Sequence, residues 1–307
     1  MKNQNIESLT DSKRESYCAI LEEVVCATTK ITDRIEASFH FIKYHDCLNR
    51  EGDFLKILRD HSIYYCFPKE RYEGKSVSEI SGLTFEARDK FFNPSDPNKS
   101  GEFGEVALYF LLESYLKAPQ IVSKMSLKTT GQKNYNGSDG IHFGIYQEKK
   151  CLFYCESKLN KKRDEAFKRC LASVLEFQKE KKDFEVSIIK SNIDMHDEEL
   201  REAILDFLDH SKEKKPDFIE VNACFVGYDW NKFGEVEKKS DNDSLHTKLM
   251  EELRKDIEEV KPLLTSLIKD KGIRQRFYFF VIPFKDVEKL RKEFLELLYG
   301  RQKEVNI

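Results

Sequence analysis

Three side chains in this 307-residue sequence could act together in one piece of chemistry. They are Asp139 in "GSDGIHF", and Glu156 and Lys158 in "CESKL". Strand alternation over residues 151–158 puts Cys151, Phe153 and Cys155 on one apolar face and Leu152, Tyr154, Glu156 and Lys158 on the other. The two charges therefore share a face at one strand end. Glu-x-Lys is common in a chain that is 35% charged, and alone it could be a wet strand end. Asp139 lies seventeen residues before Glu156, between Gly137 and Gly140, glycines that allow unusual backbone angles and close approach of a ligand. An Asx turn would use the same residue types for local reasons. If the two strands pair antiparallel, Asp139 faces the end of the other strand beside Glu156, and two carboxylates converge on an ammonium.

A third carboxylate is available from "GEFGEVALYFLLESYL", which reads as a helix. Glu105 shares a stripe with Leu108, Leu112 and Leu116, whereas Glu102 shares one with Tyr109 and Glu113. A carboxylate on an apolar stripe is costly to bury unless paired or bound to a cation, which favours Glu105. A first-turn glutamate of either kind also suits the helix dipole. Hard divalent cations such as Mg²⁺ take oxygen ligands, keep several waters and need only one or two carboxylates beside a substrate phosphate. Such an ion lowers the pKa of a bound water and neutralises charge on a phosphorane. A lysine held charged by carboxylates can orient that water or stabilise an oxyanion. This is equipment for phosphodiester hydrolysis, with Mg²⁺ as the expected cofactor and Mn²⁺ as a substitute.

The elements that must position these groups alternate along the chain. Helical patterns near 15–28 and 52–60 flank strand-like "SFHFIKY" and "SIYYCF"; then come the Glu105 helix and three strands, "QIVSKMSL", "GIHFGIYQ" and "CLFYCES". A helix near 164–181 precedes a possible strand at "FEVSII". An acidic amphipathic helix with Leu200, Ala203, Ile204, Phe207 and Leu208 on one face precedes a strand at "FIEVNACFVGY". A helix at 243–260 ended or kinked by Pro262, a strand at "RFYFFVI" and a helix at 285–298 close the pattern. The breaks "FFNPSDPNKSG" (91–101) and "GYDWNKFGEVEKKSDNDS" (227–244) divide the chain into three parts. The fold class is α/β, with a central mixed sheet flanked by helices.

Composition bounds the rest. With 40% hydrophobic residues and no long uninterrupted apolar run, the sequence reads as globular rather than membrane-spanning. The polar start "MKNQNIESLTDSKRES" lacks the apolar stretch of a secretory signal, so a cytoplasmic location is expected. The eight cysteines form no CxxC pair and are expected to be reduced, buried and without zinc. Net charge is −3, but residues 121–182 carry fourteen Lys/Arg against seven Asp/Glu. That segment suits a polyanion, and equally a solvated helix face.

The order of these motifs resembles the PD-(D/E)xK nuclease superfamily. More narrowly, "GEFGEVALYFLLE", "GSDGIHF" and "CESKL" resemble the HamA effectors of Hachiman anti-phage defence and their AbpA relatives, most specifically across about residues 100–180. Ser138 stands where the superfamily has Pro. The resemblance implies a restriction-endonuclease-like core, and the two breaks then give an N-terminal α/β region over 1–95 packed on it, the core over 96–230, and a C-terminal helix-strand-helix extension over 231–307 integrated with the core. It implies Mg²⁺-dependent cleavage of DNA under restraint by a superfamily 2 helicase resembling HamB. Asp139 and Glu156 would be metal ligands, Glu105 an accessory ligand, and Lys158 the water-positioning base or electrophile. His142 follows Asp139 in the same motif, but alternation puts it on the opposite face, which favours a packed, structural histidine over a catalytic one. Lys161, Lys162, Arg163, Lys168 and Arg169 would contact phosphates, which position DNA without reading sequence. Two other readings are a ribonuclease and a helicase-binding scaffold, for which the stripe of Leu245, Leu249, Leu253, Ile257 and Val260, expected first of all to be core, would be the docking surface.

Overall fold

In a computed structural model of the chain, residues 13–24, 29–91, 101–127 and 137–299 are described. The most apolar strand lies inside the sheet. Strand β10 (Phe277–Phe284) is buried at all eight positions, as expected for a strand with parallel neighbours and both faces covered. It runs parallel to β3 (Ile35–Ile42) on one side and to β9 (Phe218–Asp229) on the other. Beyond β9 come β8 (Lys149–Asn160), parallel to it, then β7 (Ile141–Tyr146) and β6 (Gln120–Val122), both antiparallel. Strands β1 (Leu21–Glu23) and β2 (Thr29–Thr32) pair antiparallel with β3, completing an eight-stranded mixed sheet. A two-stranded ribbon, β4 (Tyr44–His45) and β5 (Leu48–Asn49), stands apart. Strands from all three sequence segments thus share one sheet.

Helices cover both faces. On one lie α1 (13–20), α2 (Glu51–Cys66), α3 (Val77–Phe91), α4 (Glu102–Ser114) and α10 (Val287–Tyr299), sharing a core with Cys151, Phe153, Cys155 and Leu159 of β8. On the other lie α5 (Arg163–Glu176), which passes through a π-turn at Phe177–Lys181 into α6 (Lys182–Asn192), with α7 (Glu198–Leu208) and α9 (Asn242–Lys271). Leu152 and Tyr154 face this side, as the alternation predicts.

Several expectations need correcting. "SIYYCF" is not a strand but the last turns of α2. Its aromatic and β-branched residues favour strands, yet Phe54, Leu55, Leu58, Ser62, Tyr65 and Cys66 continue one buried helical stripe. "FEVSII" is likewise helical, burying Glu185, Val186 and Ile189 at i, i+1 and i+4 while Phe184 is half exposed. "QIVSKMSL" is a strand only to Val122 and then a 3₁₀ turn, Lys124–Leu127. The helical pattern near 15–28 gives way to β1 at Leu21, and residues 25–28 lie outside the described ones. Pro262 does not end the last long helix. Helix α9 runs to Lys271, where Gly272 adopts a left-handed conformation, and Leu264 beyond the proline is fully buried, so packing outweighs the lost hydrogen bond. The break at 227–244 holds the end of β9, the short helix α8 (Phe233–Lys238) and the Asp241 capping box of α9; that at 91–101 falls mostly outside the described residues. Leu245, Leu249, Leu253, Ile257 and Val260 are core residues, as their apolar stripe suggested, and so are not a docking surface. Cys66, Cys151, Cys155, Cys170 and Cys224 are buried and form no disulfide among the described residues, but Cys18 is exposed. No helix among the described residues is long and apolar enough to cross a membrane.

Candidate active site

The pairing of β7 with β8 brings the two motifs together. Ile141 opposes Tyr154, and the ladder extends one step past the strand: the Cys155 N–H donates to the Gly140 carbonyl at 3.0 Å and the Asp139 N–H to the Cys155 carbonyl at 2.8 Å. Asp139 is therefore held where antiparallel geometry places a residue opposite Glu156. Its Oδ2 accepts from both the main-chain N–H of Ser157 (2.6 Å) and the Ser157 hydroxyl (2.9 Å). Glu156 is buried under α5, where Ser173 is a hydrogen-bond partner, and Lys158 Nζ donates to its Oε1.

The charges explain one another. Burial first, and then the Asp139 carboxylate, push the Glu156 carboxyl up to about 7, against the opposing pull of Lys158. Burial alone would lower the Lys158 ammonium. The Glu156 and Asp139 charges outweigh it and hold the group above its ordinary value. The Lys158 side chain is about one third exposed (32%), against 7% for Glu156, so the lysine marks the open side of the cluster.

Glu105 lies on the other face of the sheet, with α4. The glycine preceding it, Gly104, sits against Leu159 and Ser157 so closely that a Cβ there would come within 3.0 Å of the Ser157 hydroxyl. Tyr65 of α2 donates to Glu105 Oε2 at 2.6 Å, and its buried hydroxyl is pushed up by burial and then by the charges of Glu105 and Asp139. The Glu105 carboxylate thus reaches the neighbourhood of Asp139 from across the sheet edge, through Tyr65. Glu102 is instead buried toward Tyr299, its Oε2 finding no hydrogen-bond partner among the described residues.

Among the described residues, no group of three or more His, Cys, Asp and Glu side chains is arranged to hold a metal ion. What Asp139 and Glu156 offer is a pair of hard oxygen donors whose mutual repulsion is only partly relieved by Lys158. That donor set fits a cation such as Mg²⁺, which completes its shell with water and substrate oxygens, and does not fit zinc.

The chain matches the HamA family model over residues 19–298, which takes in the whole sheet and Tyr65, Glu105, Asp139, Glu156, Ser157 and Lys158. It belongs to the HamA family. That membership makes it a Hachiman defence effector. No curated protein matches it.

In this HamA-family chain the basic cluster divides into two kinds of residue. Arg163, at the start of α5, is turned inward onto α9: Nη1 donates to Asp256 Oδ1 at 2.5 Å and Nη2 to Glu259 at 3.2 Å, with the side chain only 15% exposed. Lys161 pairs with Glu288 at 2.9 Å and Lys168 with Glu165 at 2.9 Å, both on open surface. Lys162 and Arg169 are exposed. His142 is buried, its Nδ1–H donating to the Ala118 carbonyl at 2.8 Å, and burial lowers it to about 4. Sequence reasoning missed Tyr65, Ser157, Lys124 and Glu185. Tyr65 and Glu185 stood in segments read as strands. Ser157 could have been found from β8 alternation, which aims it at the Gly104 face.

Proposed function

We propose that this HamA-family chain is a Mg²⁺-dependent nuclease of the PD-(D/E)xK type, cleaving DNA with little sequence specificity in the cytoplasm under restraint by a helicase partner. The observation that carries this reading is the convergence of Asp139, Glu156 and Lys158 at one end of the β7–β8 pair. Asp139 and Glu156 would hold the cation, with Glu105 as the accessory carboxylate behind Tyr65. A bound cation would supply an acidified water and neutralise charge on the scissile phosphate. Lys158, kept protonated by the two carboxylates, would stand at the open side, where its ammonium can orient the attacking water or stabilise a phosphoryl oxygen. Ser157 fixes the Asp139 carboxylate through Oδ2, leaving Oδ1 as a ligand. Lys162 and Arg169 are the members of the basic cluster best placed to meet phosphates, which suits contact with the backbone and not with base edges.

The test is plasmid cleavage by purified protein with Mg²⁺ or Mn²⁺. Cleavage should be lost with EDTA and with Glu156→Ala plus Lys158→Ala. Equal cleavage by the folded double variant would move the active site elsewhere, and no cleavage by the wild type would leave a scaffold role. An RNA substrate run in parallel separates deoxyribonuclease from ribonuclease. Copurification with a helicase encoded nearby, and slower cleavage by that complex than by the free chain, would support restraint; activity found only within the complex would make the helicase an activator.

A further inference from the structure

Behind Asp139 lies an ion pair that takes no part in the chemistry proposed above. Lys124, in the 3₁₀ turn after β6, and Glu185, in α6, meet at 2.9 and 3.1 Å with side chains 9% and 1% exposed. Both groups also converge on the two residues before Asp139. Glu185 Oε1 accepts from the Ser138 main-chain N–H at 3.2 Å and from the Ser138 hydroxyl, and Lys124 Nζ donates to the Ser138 carbonyl. A Cβ at Gly137 would overlap Glu185 Oε2 and come within 2.8 Å of Lys124 Nζ.

We infer that the buried Lys124–Glu185 pair is a positioning device that grips the Gly137–Ser138 backbone and thereby fixes where the Asp139 carboxylate stands. Strand β7 begins only at Ile141, and the ladder reaches no further back than the Asp139 N–H, so residues 137 and 138 pair with no strand among the described residues; the Ser138 hydroxyl's other contact is local, to the Gly140 carbonyl at 3.0 Å. The pair supplies that hold from the far side, while β8 supplies it from the near side through Ser157. A buried pair of this kind gives little net stability over apolar side chains of similar volume. What it does better than they would is present a donor and an acceptor in fixed directions to one peptide unit. Groups that orient a metal-binding side chain in this way typically matter for metal affinity and rate by about 10- to 100-fold.

The inference rests on the nuclease reading, and the experiment separates the two. Lys124→Met with Glu185→Leu removes the grip while replacing the pair with packed apolar groups. It is expected to fold with a lower thermal midpoint, because the buried Ser138 N–H and carbonyl lose their partners, to bind Mn²⁺ about tenfold or more weakly by titration calorimetry, and to lose kcat with KM for DNA little changed. A folded double variant with wild-type Mn²⁺ affinity and kcat overturns the inference. Ser138→Ala removes the hydroxyl donor alone and leaves the pair intact. It should weaken Mn²⁺ binding several-fold, and wild-type affinity and kcat in this variant overturn the inference even if the double variant does not fold. Asp139→Asn is run beside them. If it cleaves as well as the wild type, Asp139 holds no catalytic cation and the inference falls with it; if the wild type itself cleaves nothing, the nuclease reading fails; if Asp139→Asn is inactive while the folded double variant is unimpaired, only the positioning role fails.

Discussion

Ser157 and Asp139 are joined twice, the serine donating from its main-chain N–H and from its hydroxyl to the same carboxylate oxygen, Oδ2, at 2.6 and 2.9 Å. The residue between Glu156 and Lys158 is thus a structural participant, orienting the carboxylate of the other motif. Ser157→Ala keeps the main-chain bond and removes the hydroxyl bond. Hydrogen bonds to charged groups are worth roughly 1.5–3 kcal/mol, so kcat/KM for DNA is expected to fall by about tenfold or more with the fold intact. Unchanged kinetics in a steady-state assay would show that the main-chain bond suffices.

Glu156 gives the metal-free protein a characteristic pH dependence. Its folded value of about 7 lies above the ordinary 4.5, because burial and the Asp139 charge disfavour ionisation. The protonated folded carboxyl stabilises the protein fully below the ordinary value, and that contribution is lost as pH rises through about 7. Glu156→Gln does not ionise, so its thermal midpoint relative to wild type should rise between about pH 5 and pH 8, corresponding to up to roughly 3 kcal/mol. A constant difference across that range would place Glu156 at an ordinary pKa. Stabilisation of the wild type by Mn²⁺ should grow in the same direction, because the cation needs the ionised carboxylate.

Arg163 should behave as a structural residue and its neighbours as surface residues. Arg163→Ala leaves the partly buried Asp256 without its guanidinium and should lower stability by about 1–3 kcal/mol in denaturant unfolding, with the salt dependence of DNA binding little changed. Lys162→Ala with Arg169→Ala should leave stability unchanged and make log Kd less steep in log salt, by up to about 0.9 per lost phosphate contact on duplex DNA. An unaltered slope in the second variant would return both residues to ordinary solvated surface.

The two glycines flanking Asp139 are predicted to respond differently to alanine. Neither adopts a left-handed backbone, so unusual angles are not what they supply. A methyl group at Gly137 would collide with the Lys124–Glu185 pair, whereas one at Gly140 would rest 3.6 Å from His142 Nε2, an ordinary contact. Gly137→Ala should lower both thermal midpoint and cleavage, and Gly140→Ala should alter the midpoint little. Equal tolerance at both positions in thermal unfolding would mean that the pair yields at no cost.

The sequence by itself determined the part of the site that depends on periodicity over a few residues. Alternation along β8 places Glu156 and Lys158 on one face, and antiparallel pairing brings Asp139 opposite them. The choice between Glu102 and Glu105 was not legible in periodicity, because α4 buries every residue but Glu105, and it is Tyr65 of α2 that ties Glu105 to the site. Where local composition and periodicity disagreed, tertiary packing chose. Residues 62–67 and 184–189 have strand-like content, yet their buried positions line up only when wound as helix, because each faces a core already formed by other segments. That choice carries Tyr65 to Glu105 and Glu185 to Ser138. The packing of α9 against α5, separately, makes Arg163 a tie between those two helices through Asp256. A charged side chain's role depends on which charge lies within a few ångströms of it, and for Lys124 that partner is Glu185, 61 residues away in the chain. Spacing along the chain does not encode that separation; only the folding of α6 over the start of β7 brings the two together.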